Sequence, residues 1–309
     1  MENQNKKLIQ WSLNEFKSSI KFFEQRWNIF EKQPYFDYKT EITIDQLTFH
    51  GRGVSPTKEQ ALSSSIGEAL ERYSMKANNI SSSNGIALHF TTEKSQKNAK
   101  LELIERHFVM LYTLGQIPKI KIDKALYPTN INKVISNLNE LKINVTFLNL
   151  NNSHGLQTTL CEVSGLGHKS PFGLFFGSSA SYSFTDTLEK SFTEAITNVA
   201  AYFNHNIISI TEEEFKKIKS PTPNDHLSLY SNIAFSQKYL AQAIHINTNE
   251  SLIFDNSSVH FEEIKYKYSY ILPVYKAFHR NALEAKWGLL EDQISIFRNL
   301  NPEFPLVLP

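Results

Sequence analysis

The chain has 309 residues, 41% hydrophobic and 20% charged, with a formal net charge of +1. That length supplies core for one large or two ordinary domains, and the near-neutral balance gives no electrostatic drive toward nucleic acid or an anionic membrane. A single cysteine, Cys161, excludes an internal disulfide and any multi-cysteine zinc site, while the polar start M-E-N-Q-N-K-K and the lack of a long apolar run predict a cytoplasmic protein without signal peptide or membrane span.

Residues 6–31 read as one amphipathic helix. Leu13, Phe16, Ile20, Phe23, Trp27 and Phe30 stand three and four apart and make one apolar stripe, and Pro34 closes an N-terminal region of residues 1–35. Such a stripe either pairs with another chain or packs on its own domain. An extended stretch with Ile42, Ile44, Leu47 and Phe49 then leads into Gly51. After a polar turn a helix opens with a capping signature, Thr57 followed by Gln60. Its inward face is Leu62, Ile66, Ala69, Leu70 and Tyr73, which leaves Ser64, Glu68, Glu71 and Arg72 on the opposite side. A second such segment starts at Gly85, with Leu101, Ile104, Phe108 and Leu111 inward and Glu102, Glu105 and Arg106 outward.

A helix follows around Ile131 to Leu141, then β-like runs at Ile143–Leu148, Gln157–Val163 and Phe172–Phe176. The third segment starts at Gly177, with Leu188, Phe192, Ala195, Ile196 and Val199 inward and Lys190, Glu194 and Thr197 outward. Thr211–Lys219 reads as a capped, charged helix, Tyr268–Phe278 as a buried strand, and Ala282–Leu300 contains another helix. No low-complexity linker interrupts this order. Interleaved strands and helices predict a mixed α/β (α+β) architecture, with residues 36–309 as one domain.

In all three segments a glutamate follows the glycine by seventeen residues: Gly51 with Glu68, Gly85 with Glu102, Gly177 with Glu194. The first two end in E-x-x-E-R, and Thr197 stands where the third would carry its second glutamate. Carboxylates at i and i+3 on one helical face can chelate a hard cation such as Mg2+, which is often shared with nucleotide phosphates. Arg106 or Lys190 could then contact phosphate oxygens. One E-x-x-E-R taken alone reads instead as a solvated face with Glu–Arg pairs; the matched spacing at three places favours a site. Other motifs offer less. There is no G-x-x-x-x-G-K-[ST] loop, Gly51-Arg52-Gly53 alone is a poor phosphate signal, and none of the ten histidines forms H-E-x-x-H. Cys161 in an apolar run reads as core, and His89 and His107 as surface or packing residues.

At these residues the sequence resembles the YcaO family of ATP-dependent peptide-modifying enzymes. The first segment looks like its G-K-G…E-x-x-E-R-Y block, here ending Glu68-Ala-Leu-Glu71-Arg72-Tyr73; the second resembles S-N-G-x-A…E-x-x-E-R-D, here Ser83-Asn84-Gly85 through Glu105-Arg106-His107; the third resembles the block here running from Gly177 through Lys190 and Glu194. The likeness runs from about residue 40 to the end. It implies a YcaO-type fold in which three glycine–turn–helix repeats surround a nucleotide site. By position, Glu68, Glu71, Glu102 and Glu105 would hold Mg2+ and ATP phosphates, Arg106, Lys190 and Glu194 would complete the pocket, and Ser19 is a loosely aligned further contact. The implied reaction phosphorylates a backbone amide oxygen of a ribosomally made precursor peptide. A Cys, Ser or Thr side chain then adds to the activated carbon and phosphate leaves, giving an azoline. Thioamidation shares the activation step. The enzyme supplies mainly positioning and charge stabilisation.

Four departures stand out: Thr197 for the family's Gln, Val199 for an Arg, Arg52 for Lys and His107 for Asp. They keep a second reading open, a non-catalytic scaffold or regulatory subunit. The chain ends in a proline-rich stretch, Pro302, Pro305 and Pro309, and the family likeness makes the Pro309 carboxylate a weak catalytic candidate and favours azoline chemistry. With one helix ahead of the family-like blocks, a separate leader-binding partner protein is expected, and a homodimer is an open alternative.

Overall fold

The first helix stops half-way along the stripe that predicts it. In the computed structural model, which describes residues 2–113, 117–153, 155–205, 207–219, 221–241, 258–279 and 282, α1 spans Glu2–Phe16, a 3-10 turn takes Lys17–Ser19, and β1 spans Ile20–Glu24. The single helix expected over 6–31, and with it a helical region to residue 35, is therefore corrected. Lys17 has a positive φ of 45°, which ends the α-helical path. The β-branched and aromatic run Ile20, Phe22, Phe23 then pairs antiparallel with the next strand, Ile20 opposite Ile42 and Glu24 opposite Tyr38. Trp27 is buried while Phe23 is 41% exposed, so two residues of the one expected stripe have opposite environments.

The chain divides into two compact units, Met1–Leu103 with Asp255–Arg280, and Ile104–Phe254 with Asn281–Pro309. The first carries a three-stranded antiparallel sheet of order β1-β2-β3, with β2 at Phe36–Ile44 and β3 at Leu47–Ser55. Their hairpin turns on Asp45 and Gln46, both at positive φ (50° and 66°), the geometry of a two-residue primed turn. Helix α2, Lys58–Ala77, starts where Thr57 accepts the Gln60 N–H at 3.4 Å. It buries Ile66, Ala69, Leu70 and Tyr73 against Ile42, Ile44, Leu8 and Phe16, as its spacing predicts. A smaller sheet of order β4-β10-β9 uses Ile86–Leu88, Val274–Phe278 and His260–Ile264. The strand expected over Tyr268–Phe278 shrinks to β10, because Tyr268 instead accepts the N–H groups of Ile271 and Leu272 in a turn.

The division falls inside α3, Thr92–Thr113. In the second unit β5 (Ile120–Lys121), β6 (Asn144–Ser153), β7 (Leu156–Ser164) and β8 (Leu174–Ser181) form an antiparallel sheet in that order. Helix α4, Thr129–Glu140, precedes it, and α5, Phe184–His205, follows with Leu188, Phe192, Ala195, Ile196 and Val199 all buried. The other face of the sheet meets an apolar cluster of Leu148, Leu160, Leu174 and Phe176 with Val109, Tyr112 and Tyr230. The charged helix expected over 211–219 is a single turn, α6 at Glu212–Phe215, held by a capping box of Thr211 with Glu214. Helices α7, Pro223–Tyr230, and α8, Ile233–Ala241, complete the described elements of this unit. The expected C-terminal helix, except Ala282 itself, and the tail to Pro309 lie outside the described residues. Antiparallel sheets interleaved with helices make the mixed α/β architecture that the sequence predicts. No described helix is long and apolar enough to cross a membrane.

Candidate functional site

In the first unit β3 is a sheet edge, so some of its backbone N–H groups have no strand partner. One of them, on Arg52, donates to Glu68 Oε2 at 2.6 Å. Helix α2 comes that close only because residue 51 is glycine: a methyl there would overlap the Ser65 carbonyl oxygen and lie 2.5 Å from the Ala69 nitrogen. The second oxygen of Glu68 is bonded by Arg72 one turn later. Glu71 accepts the backbone N–H of Leu88 in β4. Burial, then the negative charge of Glu68, pushes the Glu71 carboxyl up to about 8, against the opposing pull of Arg72. On the face of α2 opposite the core, Glu68 and Glu71 are thus partly covered by the β3 and β4 backbone, while Ser64 and Arg72 are exposed. Glu102 lies half-buried on α3 in this unit, and Ser19 is exposed in its 3-10 turn.

The second unit repeats the construction. Its edge strand β8 carries Gly177, where a methyl would collide with the Ser191 carbonyl oxygen and the Ala195 nitrogen. The next residue, Ser178, donates its N–H to Glu194 Oε2 at 2.7 Å. Its hydroxyl donates to Glu105 Oε1, also at 2.7 Å. Burial raises Glu194 to about 7, Arg106 opposes the rise and Glu105 adds to it. Glu105, Arg106, Glu194 and Ser178 therefore form one cluster. Lys190 is exposed on α5. Thr197 turns its hydroxyl back to the Thr193 carbonyl oxygen at 2.6 Å, the usual habit of a threonine within a helix.

The middle glycine is built differently. Gly85 has φ +68°, stands ahead of its strand and accepts the Ala277 N–H from β10 at 2.8 Å. Three segments share the seventeen-residue spacing, but two share the clamp. Sequence reasoning missed Ser178 and Asp37. For Ser178 a signal existed, since it follows Gly177 as Arg52 follows Gly51; for Asp37 there was none, because its partners come from separate stretches of chain.

A profile of the YcaO family, described as YcaO cyclodehydratase, ATP- and Mg2+-binding, matches residues 76–251. The chain belongs to the YcaO family. That match includes Glu102, Glu105, Arg106, Lys190 and Glu194; Glu68 and Glu71 precede it. Among solved structures, a heterocyclase in complex with substrate and cofactor is 12% identical with a TM-score of 0.63, covering 95% of this YcaO chain and 55% of the heterocyclase. The chain thus spans about half that protein's length. A YcaO from Methanopyrus kandleri bound with AMPPCP and Mg2+ is 12% identical with a TM-score of 0.60, covering 94% and 95% of the two chains. Both likenesses bear on the fold. A search of curated proteins by sequence gave no match.

ATP and Mg2+ are the ligands of this family of ATP-dependent enzymes, and the residues fit them. The donors are hard carboxylate oxygens, the ligand type Mg2+ takes. Glu71 and Glu194 are held with raised carboxyls, the behaviour of buried acids that a cation would return to the ionised form. Among the described residues no three His, Cys, Asp or Glu side chains already form a metal-holding group, so water and phosphate oxygens would fill much of the shell.

Proposed function

We propose that this YcaO chain uses ATP and Mg2+ to activate backbone amides of a ribosomally made precursor peptide, with azoline-forming cyclodehydration of Cys, Ser or Thr as the outcome and thioamidation as the alternative product. The observation that carries the reading is the pair of clamped glutamates, Glu68 and Glu194, each fixed by the N–H that follows a notched glycine. ATP would supply the phosphoryl group that turns an amide oxygen into a leaving group, and Mg2+ the positive charge that offsets its phosphates. Glu68, Glu71, Glu102 and Glu105 would act as oxygen ligands, and Glu194 with Arg106 and Lys190 would orient the phosphates. Clamping the carboxylates before substrate arrives removes reorganisation from the reacting complex. A separate leader-binding protein would deliver the peptide.

Mass spectrometry of candidate precursor peptides incubated with this chain, partner, ATP and Mg2+ tests the reading: one water lost per ring is expected, and exchange of oxygen for sulfur would instead indicate thioamide formation. The non-catalytic alternative draws on Thr197, whose hydroxyl is committed to its own helix. Calorimetry decides it, because a chain that fails to bind Mg2+ with ATP is no enzyme of this kind.

A further inference from the structure

Arg52 is where the family pattern places a lysine, and its side chain is already engaged. The guanidinium grips Asp37 through two parallel bonds, Nε to Oδ1 at 3.0 Å and Nη2 to Oδ2 at 2.6 Å. Asp37 is fully buried, and Trp27 donates its Nε1–H to the same Oδ2 at 2.7 Å. Two donors of different chemistry, from a loop and from β3, thus converge on one buried carboxylate. A planar fork held this way fixes the orientation of the residue that bears it, which a lysine could not reproduce. The residue so fixed is the one whose backbone N–H reaches Glu68 at 2.6 Å.

We infer that Trp27, Asp37 and Arg52 form a strut that positions Glu68, with Arg52 acting through its backbone while its side chain faces away. The inference rests on the reading of Glu68 as a Mg2+ and nucleotide ligand. The second clamp supports it by contrast. There the matching residue is Ser178, whose hydroxyl goes to Glu105, so that clamp is braced by a second carboxylate of its own cluster. Arg52 is thereby a positioning residue and makes no phosphate contact. Outer partners that orient a metal ligand commonly carry 10–100-fold of its affinity, and the strut's effect should fall at the lower end of that range because Arg72 also holds Glu68.

The test measures binding of AMPPCP by calorimetry across a Mg2+ titration in Arg52→Lys, Trp27→Phe and Glu68→Gln, with melting temperature as the folding control. All three variants keep the Arg52 backbone N–H. Arg52→Lys is expected to weaken Mg2+-dependent AMPPCP binding about tenfold and Trp27→Phe about threefold, at melting temperatures near the parent's. Affinity unchanged in both, with Glu68→Gln impaired, overturns the strut and leaves the reading of Glu68 intact. Affinity unchanged in Glu68→Gln itself removes that reading and the strut with it. If Arg52→Lys does not fold, Trp27→Phe, which removes the indole N–H while keeping an aromatic ring at the site, decides alone.

Discussion

The module β1-β2-β3-α2 in the first unit and the module β6-β7-β8-α5 in the second are two versions of one device. Glycine notch, edge-strand N–H and helical glutamate recur at an offset of 126 residues, and so do smaller details: Ser65 and Ser191 each bond back to a leucine carbonyl, Leu62 and Leu188. The versions differ where chemistry is added. The first has a second glutamate one turn on, Glu71, while the second has Thr197. The first braces the residue after its glycine with an ion pair to a buried aspartate, the second with a serine hydroxyl. Features common to both modules belong to the clamp, and features present in one belong to what that clamp serves.

The largest expected effect breaks the chemistry without breaking the clamp. Glu71→Gln and Glu105→Gln nearly conserve volume while removing charge, so each should fold and lose about 100-fold or more in peptide turnover. Retained turnover in both would move the site elsewhere. Next come the notches. Gly51→Ala and Gly177→Ala drive a methyl into the backbone of the facing helix, and each should destabilise its unit by about 3 kcal/mol, read from denaturant unfolding. A tolerated alanine at one notch alone would end the equivalence of the modules.

The third prediction separates the modules by pH. A carboxyl raised in the folded state stabilises at low pH, below its ordinary value of 4.5, and that contribution is lost as pH rises through the folded value, about 8 for Glu71 and about 7 for Glu194. Without nucleotide, stability should fall between pH 5 and 8 with a slope of at most about 1.4 kcal/mol per pH unit for each group. Glu71→Gln should flatten the upper part of that fall. Binding of Mg2+ with AMPPCP requires the ionised forms, so it should tighten over the same range and release protons. The smallest effect belongs to Ser178→Ala, which removes the hydroxyl bond to Glu105 and keeps the backbone bond to Glu194. A loss of about 1 kcal/mol is expected, and a loss matching Glu194→Gln would make the hydroxyl the main brace.

The two modules also show what a sequence displays and what it hides. Helices α2, α4 and α5 were legible because each buries a stripe of period 3.6, whereas α3 buries Leu103, Val109 and Met110 besides the expected Leu101, Ile104 and Leu111; the glutamates were legible as glycine-spaced pairs on α2 and α3. The segment from Ile20 to Glu24 misled, because its apolar residues fit a helical stripe and only the partner strand, distant in sequence, decides for a β-strand. The clamps themselves were illegible. They consist of backbone N–H groups on edge strands, a property of sheet order and not of any side chain. The division of labour among Arg52, Asp37 and Ser178 was hidden for the same reason.

The turn at Asp45 and Gln46 reaches further than its position suggests. Strand side chains alternate faces, so a slip of one residue in the β2–β3 pairing would turn the Gly51 notch away and push the Arg52 side chain toward α2. A primed two-residue turn allows one register, and hairpins of this kind close within about 1–10 μs, before long-range packing is complete. The landing place for α2 is then cut before the helix arrives to occupy it. Two left-handed residues at the hairpin end thereby decide, during folding, whether Glu68 finds a backbone donor at all.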